Sequence, residues 1–212
     1  MDRTLQPELL DSLAPDDPAA QHSRRDLRIV NRIMGNERWF VQELRRRLRP
    51  AERVLELGAG TGEMGMALSA AGLAIDGLDL WPRPPAWHYQ AEWHRADLRT
   101  FVRFAEYSAV MANLTLHHFN SNELAVLGAK LIGARLIVVS EPARRRWSQA
   151  LFAALGPLFG ANRVTLHDAR VSIAAGFRRD ELPCALGLTA DRWNWKCKVS
   201  FLGAYRMIAL RR

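Results

Sequence analysis

The feature that most constrains this chain is the run Val54-Leu55-Glu56-Leu57-Gly58-Ala59-Gly60-Thr61-Gly62-Glu63, an apolar strand that ends in alternating glycines and opens into a helix over 62–71. Glycine tolerates positive φ and lets a ligand approach the backbone with no Cβ in the way. The helix that follows presents free N–H groups at its start, a place that suits a ligand carboxylate or phosphate.

The chain on either side of this turn is organised to match. Short apolar runs at 53–57, 73–80, 92–95, 108–113 and 136–140 read as strands, the last rich in β-branched residues as a buried parallel strand should be. Helices are expected at 120–131, started by Asn120 with Glu123 and stopped by Gly133, and at 147–158, apolar at Trp147, Leu151, Leu155 and Leu158. Runs at 192–200 and 205–210 lie close enough to pair as antiparallel neighbours. Alternation of this kind places helices on both faces of a parallel sheet. The expected fold class is α/β, a three-layer sandwich around a seven-stranded, mostly parallel sheet with its last strands antiparallel and an N-terminal helical extension.

Residues 1–50 are expected to form an N-terminal arm and helical lid on the same domain, whose body is 51–212. The first 22 residues read as a loose arm, with Pro7, Pro15 and Pro18 among acidic residues. Ser23 with Asp26 resembles a capping box for a helix carrying Leu27, Val30 and Met34. Gly35-Asn36 interrupts, and a second helix carries Phe40, Leu44 and Leu48 up to Pro50. Arg24, Arg28, Asn31 and Trp39 are the residues of these helices that could cover a site.

Gly60-Thr61-Gly62-Glu63-Met64-Gly65 matches the dinucleotide pattern G-x-G-x-x-G by letter. Counted from Gly58, the glycine that directly follows the strand, the third glycine's place is held by Glu63, which would crowd and repel a pyrophosphate. No Gly-Lys-Ser/Thr follows, so a P-loop is excluded. Glu56-Leu57-Gly58-Ala59-Gly60-Thr61-Gly62 instead resembles the first motif of class I S-adenosylmethionine-dependent methyltransferases. The resemblance covers about 53–142 by motif and the rest by architecture. It implies a loop wrapped around the methionine end of the cofactor S-adenosyl-L-methionine, whose sulfonium and ammonium are compatible with Glu56.

Ligands of such sheets sit beyond the carboxyl ends of the strands. Asp79, ending the second strand, can accept both ribose hydroxyls; Asp76, three residues earlier, points to the opposite side. The plainer role for Asp79 is a turn residue. Leu80 and Trp81 could flank the adenine. Asp97, with Leu98, fits the position that meets the adenine amino group in the family, and its plainer role is an N-cap. Ala112-Asn113-Leu114-Thr115-Leu116-His117-His118-Phe119 looks like the fourth motif of small-molecule methyltransferases, including those of quinone biosynthesis, and places Asn113 beside the transferred methyl. Glu141-Pro142 after the fifth strand is also familiar from that group. The departure is the Pro/Trp-rich stretch 81–93, where the family has a regular helix.

The expected cofactor-binding set is thus Glu56, Gly58, Ala59, Gly60, Gly62, Asp79, Leu80, Asp97, Leu98 and Asn113. His117 and His118 are the catalytic candidates, since an acceptor that must lose a proton needs a base titrating near neutrality. Adjacent residues face different ways, so one of the two is expected to reach the site. Without further ligands the pair makes no metal site. Trp81, Trp87, Trp93, Trp193 and Trp195 either line an acceptor pocket or belong to the core.

The implied function is methyl transfer to a small, lipophilic or aromatic metabolite. The net charge of +8 and pI near 10.4 raise methyl transfer to RNA or DNA as a second reading. Against it, the arginines are dispersed, no aromatic RNA-binding module is visible, and the fourth motif lacks an Asn-Pro-Pro-Tyr-type sequence. A non-catalytic binding protein that keeps the fold is a third reading, and an NAD-linked oxidoreductase a distant fourth. Cys184 and Cys197 are scattered thiols expected to serve packing. Neither a secretory signal nor a membrane-length apolar run is present, so the cytoplasm is the expected location.

Overall fold

Strand β1 (Val54–Leu57) carries the glycine turn at its carboxyl end and lies inside a sheet ordered β3-β2-β1-β4-β5-β7-β6. This is a computed structural model, and it describes residues 1–14, 16–88 and 90–212, the side chain of Phe159 apart. Pro15 of the expected arm and Tyr89 of the Pro/Trp-rich stretch lie outside the described residues. Strands β2 (Ile75–Asp79), β3 (Trp93–Arg95), β4 (Ala109–Asn113) and β5 (Leu136–Pro142) run parallel to β1, and β6 (Trp193–Val199) and β7 (Ala204–Arg211) close the sheet antiparallel. The expected architecture is the observed one.

Period-2 alternation divides the core. Leu55, Leu57, Val110, Ala112, Ile137 and Val139 pack on one face, while Val54, Ile75, Ala109, Met111, Leu136 and Val138 pack on the other. Strand order reverses between β1 and β4, the place where α/β sheets open a crevice at their carboxyl edge.

The N-terminal segment departs most from expectation. Helix α1 (Leu9–Ser12) precedes α2 (Pro18–Ile33), and the segment is tied down. Arg3 donates to the carbonyls of Ala175, His117 and Phe119, and Asp168 accepts from Leu9 and Leu10 N–H at 2.7 and 2.9 Å. Helix α2 starts before the expected capping box: Asp17 caps it through Ala19 and Ala20 N–H, with Pro18 at the first position. Ser23 and Asp26 are instead buried within the helix, and Asp26 accepts from Thr165 Oγ1 at 2.7 Å.

Gly35 takes φ +65 and starts α3 (Asn36–Arg47), which buries Phe40 and Leu44. Helices α4 (Glu63–Ala70) and α5 (Ser121–Lys130) stand where expected, α5 with its Asn120–Glu123 capping box formed. Helix α6 (Arg146–Leu155) buries none of its residues, so the stripe Trp147, Leu151, Leu155 faces outward, not into the core. Helices α7 (Arg163–Ala175) and α8 (Glu181–Ala185) were not legible, although Asn162 caps α7 through Thr165 N–H at 2.8 Å. Cys184 and Cys197 are free thiols. Among the described residues no helix is long and apolar enough to cross a membrane.

Candidate functional site

The glycine loop is held from beneath and open above. Gly58, Gly60 and Gly62 all take positive φ, at +65, +57 and +79. A side chain at Gly58 would strike Thr115, whereas one at Gly60 would meet nothing within 4 Å. Gly58 and Ala59 N–H donate to the Leu78 carbonyl, and Gly62 N–H to that of Ala59, which leaves the loop's crest facing outward. Asp79 at the end of β2 holds that crest: its Oδ2 accepts Gly60 N–H at 2.7 Å, and its Oδ1 accepts Trp81 N–H at 2.9 Å. Asp79 thus serves the turn, and each of its carboxylate oxygens keeps a second lone pair.

Glu56 is buried on the same face as Met111, and its Oε2 has no hydrogen-bond partner. Burial, reinforced by the nearby Asp79 carboxylate, pushes its pKa up to about 8; the Gly65 N–H offsets part of this. A buried acid beside a second carboxylate favours its neutral form and ionises more readily where positive charge is placed beside it.

The described residues between β2 and β3 form turns, as the prolines dictate. Trp87 is buried and packs edge-on to Trp93 at 4.8 Å between ring centroids. Both tryptophans fill space left by glycines: a side chain at Gly65 would strike Trp87, and one at Gly77 would strike Trp93. Trp193 is buried too, and Trp195 donates from Nε1 to Asp180, so these four serve packing. Leu80 is exposed and free to cover a ligand. Asp97 is half-buried, accepts Arg99 N–H at 2.8 Å and pairs with the Arg99 guanidinium; Leu98 turns its side chain into the core. Asp76 lies on the other side from Asp79, as expected, paired with Arg53 (Nε–Oδ2 2.6 Å).

One face of α2 spans this edge. Arg24, Arg28 and Asn31 recur at helical spacing. Arg24 lies over the Trp81 ring at 4.9 Å, and Arg28 pairs with Glu63 at 2.8 Å. Asn31 Oδ1 accepts from Asn113 and Asn36 at 3.1 and 2.9 Å. Asn36 in turn donates to Asn113 Oδ1 and accepts from Ser140 Oγ. Trp39 is elsewhere, beneath the Arg206 guanidinium.

Beyond Asn113, Leu114 takes φ +55, and a single tight turn, Leu116–His118, carries the two histidines. Buried Glu141 organises that turn. It accepts N–H bonds from Thr115, Leu116 and His117 and binds His117 Nδ1 at 2.7 Å. His117 Nε2 faces Glu8 Oε1 at 3.3 Å, and His118 Nε2 lies 3.9 Å from the same oxygen. The two rings are tilted against each other at 4.2 Å, so both turn toward Glu8 and do not face opposite ways. Burial opposes charge on His117, but Glu141 and Glu8 outweigh it and raise its pKa to about 9. Burial, then the charge of His117, lowers that of His118. Glu8 is a residue the sequence reading missed, for no local signal ties position 8 to position 117. Glu141 did carry one, an acid closing a β-branched strand.

No protein-family model matches the chain, and no curated protein matches its sequence. Solved structures do match its fold. The plantazolicin methyltransferase BpumL in complex with SAH aligns with TM-score 0.69 at 13% identity, over 93% of this chain and 91% of that one. The plantazolicin methyltransferase BamL, with a triazolic desmethylPZN analog and SAH, gives 0.69 at 11% identity over 95% and 92%. The methyltransferase domain of bacterial CtHen1 gives 0.58 at 14% over 84% and 97%. At these identities the likeness is one of fold, and the chain has the class I methyltransferase fold.

Proposed function

We propose that this chain is an S-adenosylmethionine-dependent methyltransferase acting on a small, lipophilic or aromatic acceptor. The observation that carries the proposal is the pairing of Glu56 and Asp79 around an open glycine crest, with Glu56 Oε2 buried and unpartnered. The cofactor's ammonium and sulfonium are the positive charge that such a pair lacks, and among the described residues nothing lies within 4 Å of a β-carbon built at Gly60, which leaves room for close approach. When bound, S-adenosylmethionine supplies an activated methyl group for in-line displacement.

The chain's own residues bind, align and exclude water. Glu56 balances cationic charge; Gly58, Ala59, Gly60 and Gly62 shape the cradle. Asp79 holds the crest and offers its remaining lone pairs to ribose hydroxyls, and Leu80 covers the adenine side. Asp97 and the Leu98 backbone border the adenine edge, and Asn113 borders the methyl. Helix α2, anchored through Arg24, Arg28 and Asn31, acts as the lid. Of the two histidines, His118 has an edge open to an acceptor, its side chain 34% exposed. Proton removal, where the acceptor requires it, falls to that side of the turn. Many of the arginines are spent on ion pairs, among them Arg53–Asp76, Arg99–Glu123, Arg103–Glu106 and Arg135–Glu52, which favours a small acceptor over a nucleic acid.

The test is methyl transfer from isotopically labelled cofactor to a panel of phenols and quinol-like compounds, with RNA and DNA as parallel acceptors. Label in an organic-extractable product is the expected result. Label confined to nucleic acid would overturn the acceptor class, and no transfer to anything would support a non-catalytic binder.

A further inference from the structure

The cluster on the turn after β4 has a geometry that proton transfer alone does not explain. His117 gives Nδ1 to Glu141 at 2.7 Å, and His118 turns Nδ1 toward Asp11 Oδ2 at 3.9 Å. His117 therefore has a carboxylate hydrogen-bonded behind it, Asp11 stands near His118 but beyond hydrogen-bond reach, and both imidazoles aim Nε2 at one shared oxygen, Oε1 of Glu8. A carboxylate behind an imidazole keeps a hydrogen on Nδ1, so that a metal which displaces the Nε2 proton finds its lone pair there, the arrangement that metal-binding histidines use.

We propose that Glu8, His117 and His118 form a divalent transition-metal site of the zinc class, with Glu141 as the carboxylate that orients the His117 ring. Glu8 Oε1 lies 3.3 and 3.9 Å from the two Nε2 atoms, and the three donor atoms lie within 4.8 Å of one another. Bonds of ~2.0–2.1 Å in a tetrahedron put ligand atoms about 3.3 Å apart, so one contact is already at that spacing, and the exposed His118 ring must turn inward to close the rest. Two imidazoles and a carboxylate are a donor set that zinc accepts, and three protein ligands leave a fourth position for water or an acceptor oxygen. That position lies on the open side, because His118 is one-third exposed while Glu141 is fully buried.

The site also explains the N-terminal segment. Glu8 reaches His117 across 109 residues, and Ser172 Oγ donates to the same Oε1. A metal there would fasten residues 1–12 over the turn that closes the methyl-transfer side. Sequence reading left the histidine pair without further ligands; the fold supplies the third.

The test uses the full chain, stripped with a chelator and checked for folding by circular dichroism. It is titrated with zinc by calorimetry, and with cobalt(II) followed by visible absorption. The expected result is one equivalent bound at micromolar affinity or better, with the intense d–d bands of a low-coordinate cobalt site and a raised melting temperature. Affinity should fall at least 100-fold in His118→Ala and at least tenfold in Glu8→Gln, two changes that leave the buried His117–Glu141 pair intact. No stoichiometric uptake by the folded chain, or uptake unchanged in both variants, would overturn the proposal. The metal titration contains no methyl donor, so its outcome is separate from that of the methyl-transfer assay.

Discussion

The glycine loop and the histidine turn are neighbours at one edge of the sheet, joined by Thr115 Oγ1 to the Gly58 carbonyl at 3.3 Å, yet they handle buried charge in opposite ways. At the loop a buried acid is only partly satisfied: Glu56 Oε2 has no hydrogen-bond partner among the described residues, Gly65 N–H compensates in part, and Asp79 adds like charge. At the turn the acid is saturated: Glu141 takes three backbone N–H groups and a histidine nitrogen. A saturated buried network rigidifies its surroundings, whereas an unsatisfied group costs stability until something completes it. One site has charge to be completed; the other holds the chain together.

The sharpest way to break that distinction is at Glu141. Glu141→Ala leaves three N–H groups and the His117 ring without their acceptor, and the unfolding free energy in urea should fall by about 3–5 kcal/mol. A loss under 1 kcal/mol would show that the turn does not depend on its acid.

At the loop the expected effects fall on binding. Gly60→Ala places a β-carbon in open space at φ +57. Its cost in stability should be ~1–2 kcal/mol from left-handed backbone strain. Its cost in affinity for S-adenosylmethionine should be at least 100-fold, about 2.7 kcal/mol, by calorimetry. Equal small effects on both would mean that the crest is not a ligand surface.

Glu56 sharpens the same point through pH. Its carboxyl stands at about 8 in the fold, against ~4.3 in an unfolded chain. The native state thus favours the neutral acid. The stabilisation from that preference is full below the unfolded value and is lost as pH rises through the folded one. Glu56→Gln stays neutral throughout. It should match the parent near pH 4 and exceed its stability above pH 8 by on the order of a few kcal/mol, measured by urea melts across pH. It should also weaken cofactor binding. A variant equally destabilised at both ends would remove the charge argument.

The smallest effect is expected at the lid. Arg28 and Glu63 are both well exposed, so Arg28→Ala should change stability by no more than ~0.5 kcal/mol. If α2 closes over the site, KM should rise several-fold with kcat little changed; an unaltered KM would reduce α2 to packing.

The loop was legible because its chemistry is local: strand, three glycines and helix are consecutive, and Asp79 follows at the end of the next strand. The body's strands were legible for the same reason, as short apolar runs bounded by breakers. The histidine turn was legible only in part. Asn113, His117 and His118 lie in one motif, but Glu8, Asp11 and Asn36 arrive from elements that only the fold brings near. Helix α7 was missed because Val164, Thr165, Val171 and Ile173 are β-branched and blur the helical period. The α6 stripe was seen but its direction was not, since periodicity locates an apolar face without saying what covers it.

The most direct measurement of the central claim is calorimetric titration of the folded chain at neutral pH with S-adenosylmethionine and with its demethylated product, repeated in two buffers of different ionisation enthalpy. The account predicts micromolar binding accompanied by proton release, because a cation at the glycine crest ionises the protonated Glu56, and loss of both signals in Gly60→Ala. A folded chain that binds neither ligand would contradict it.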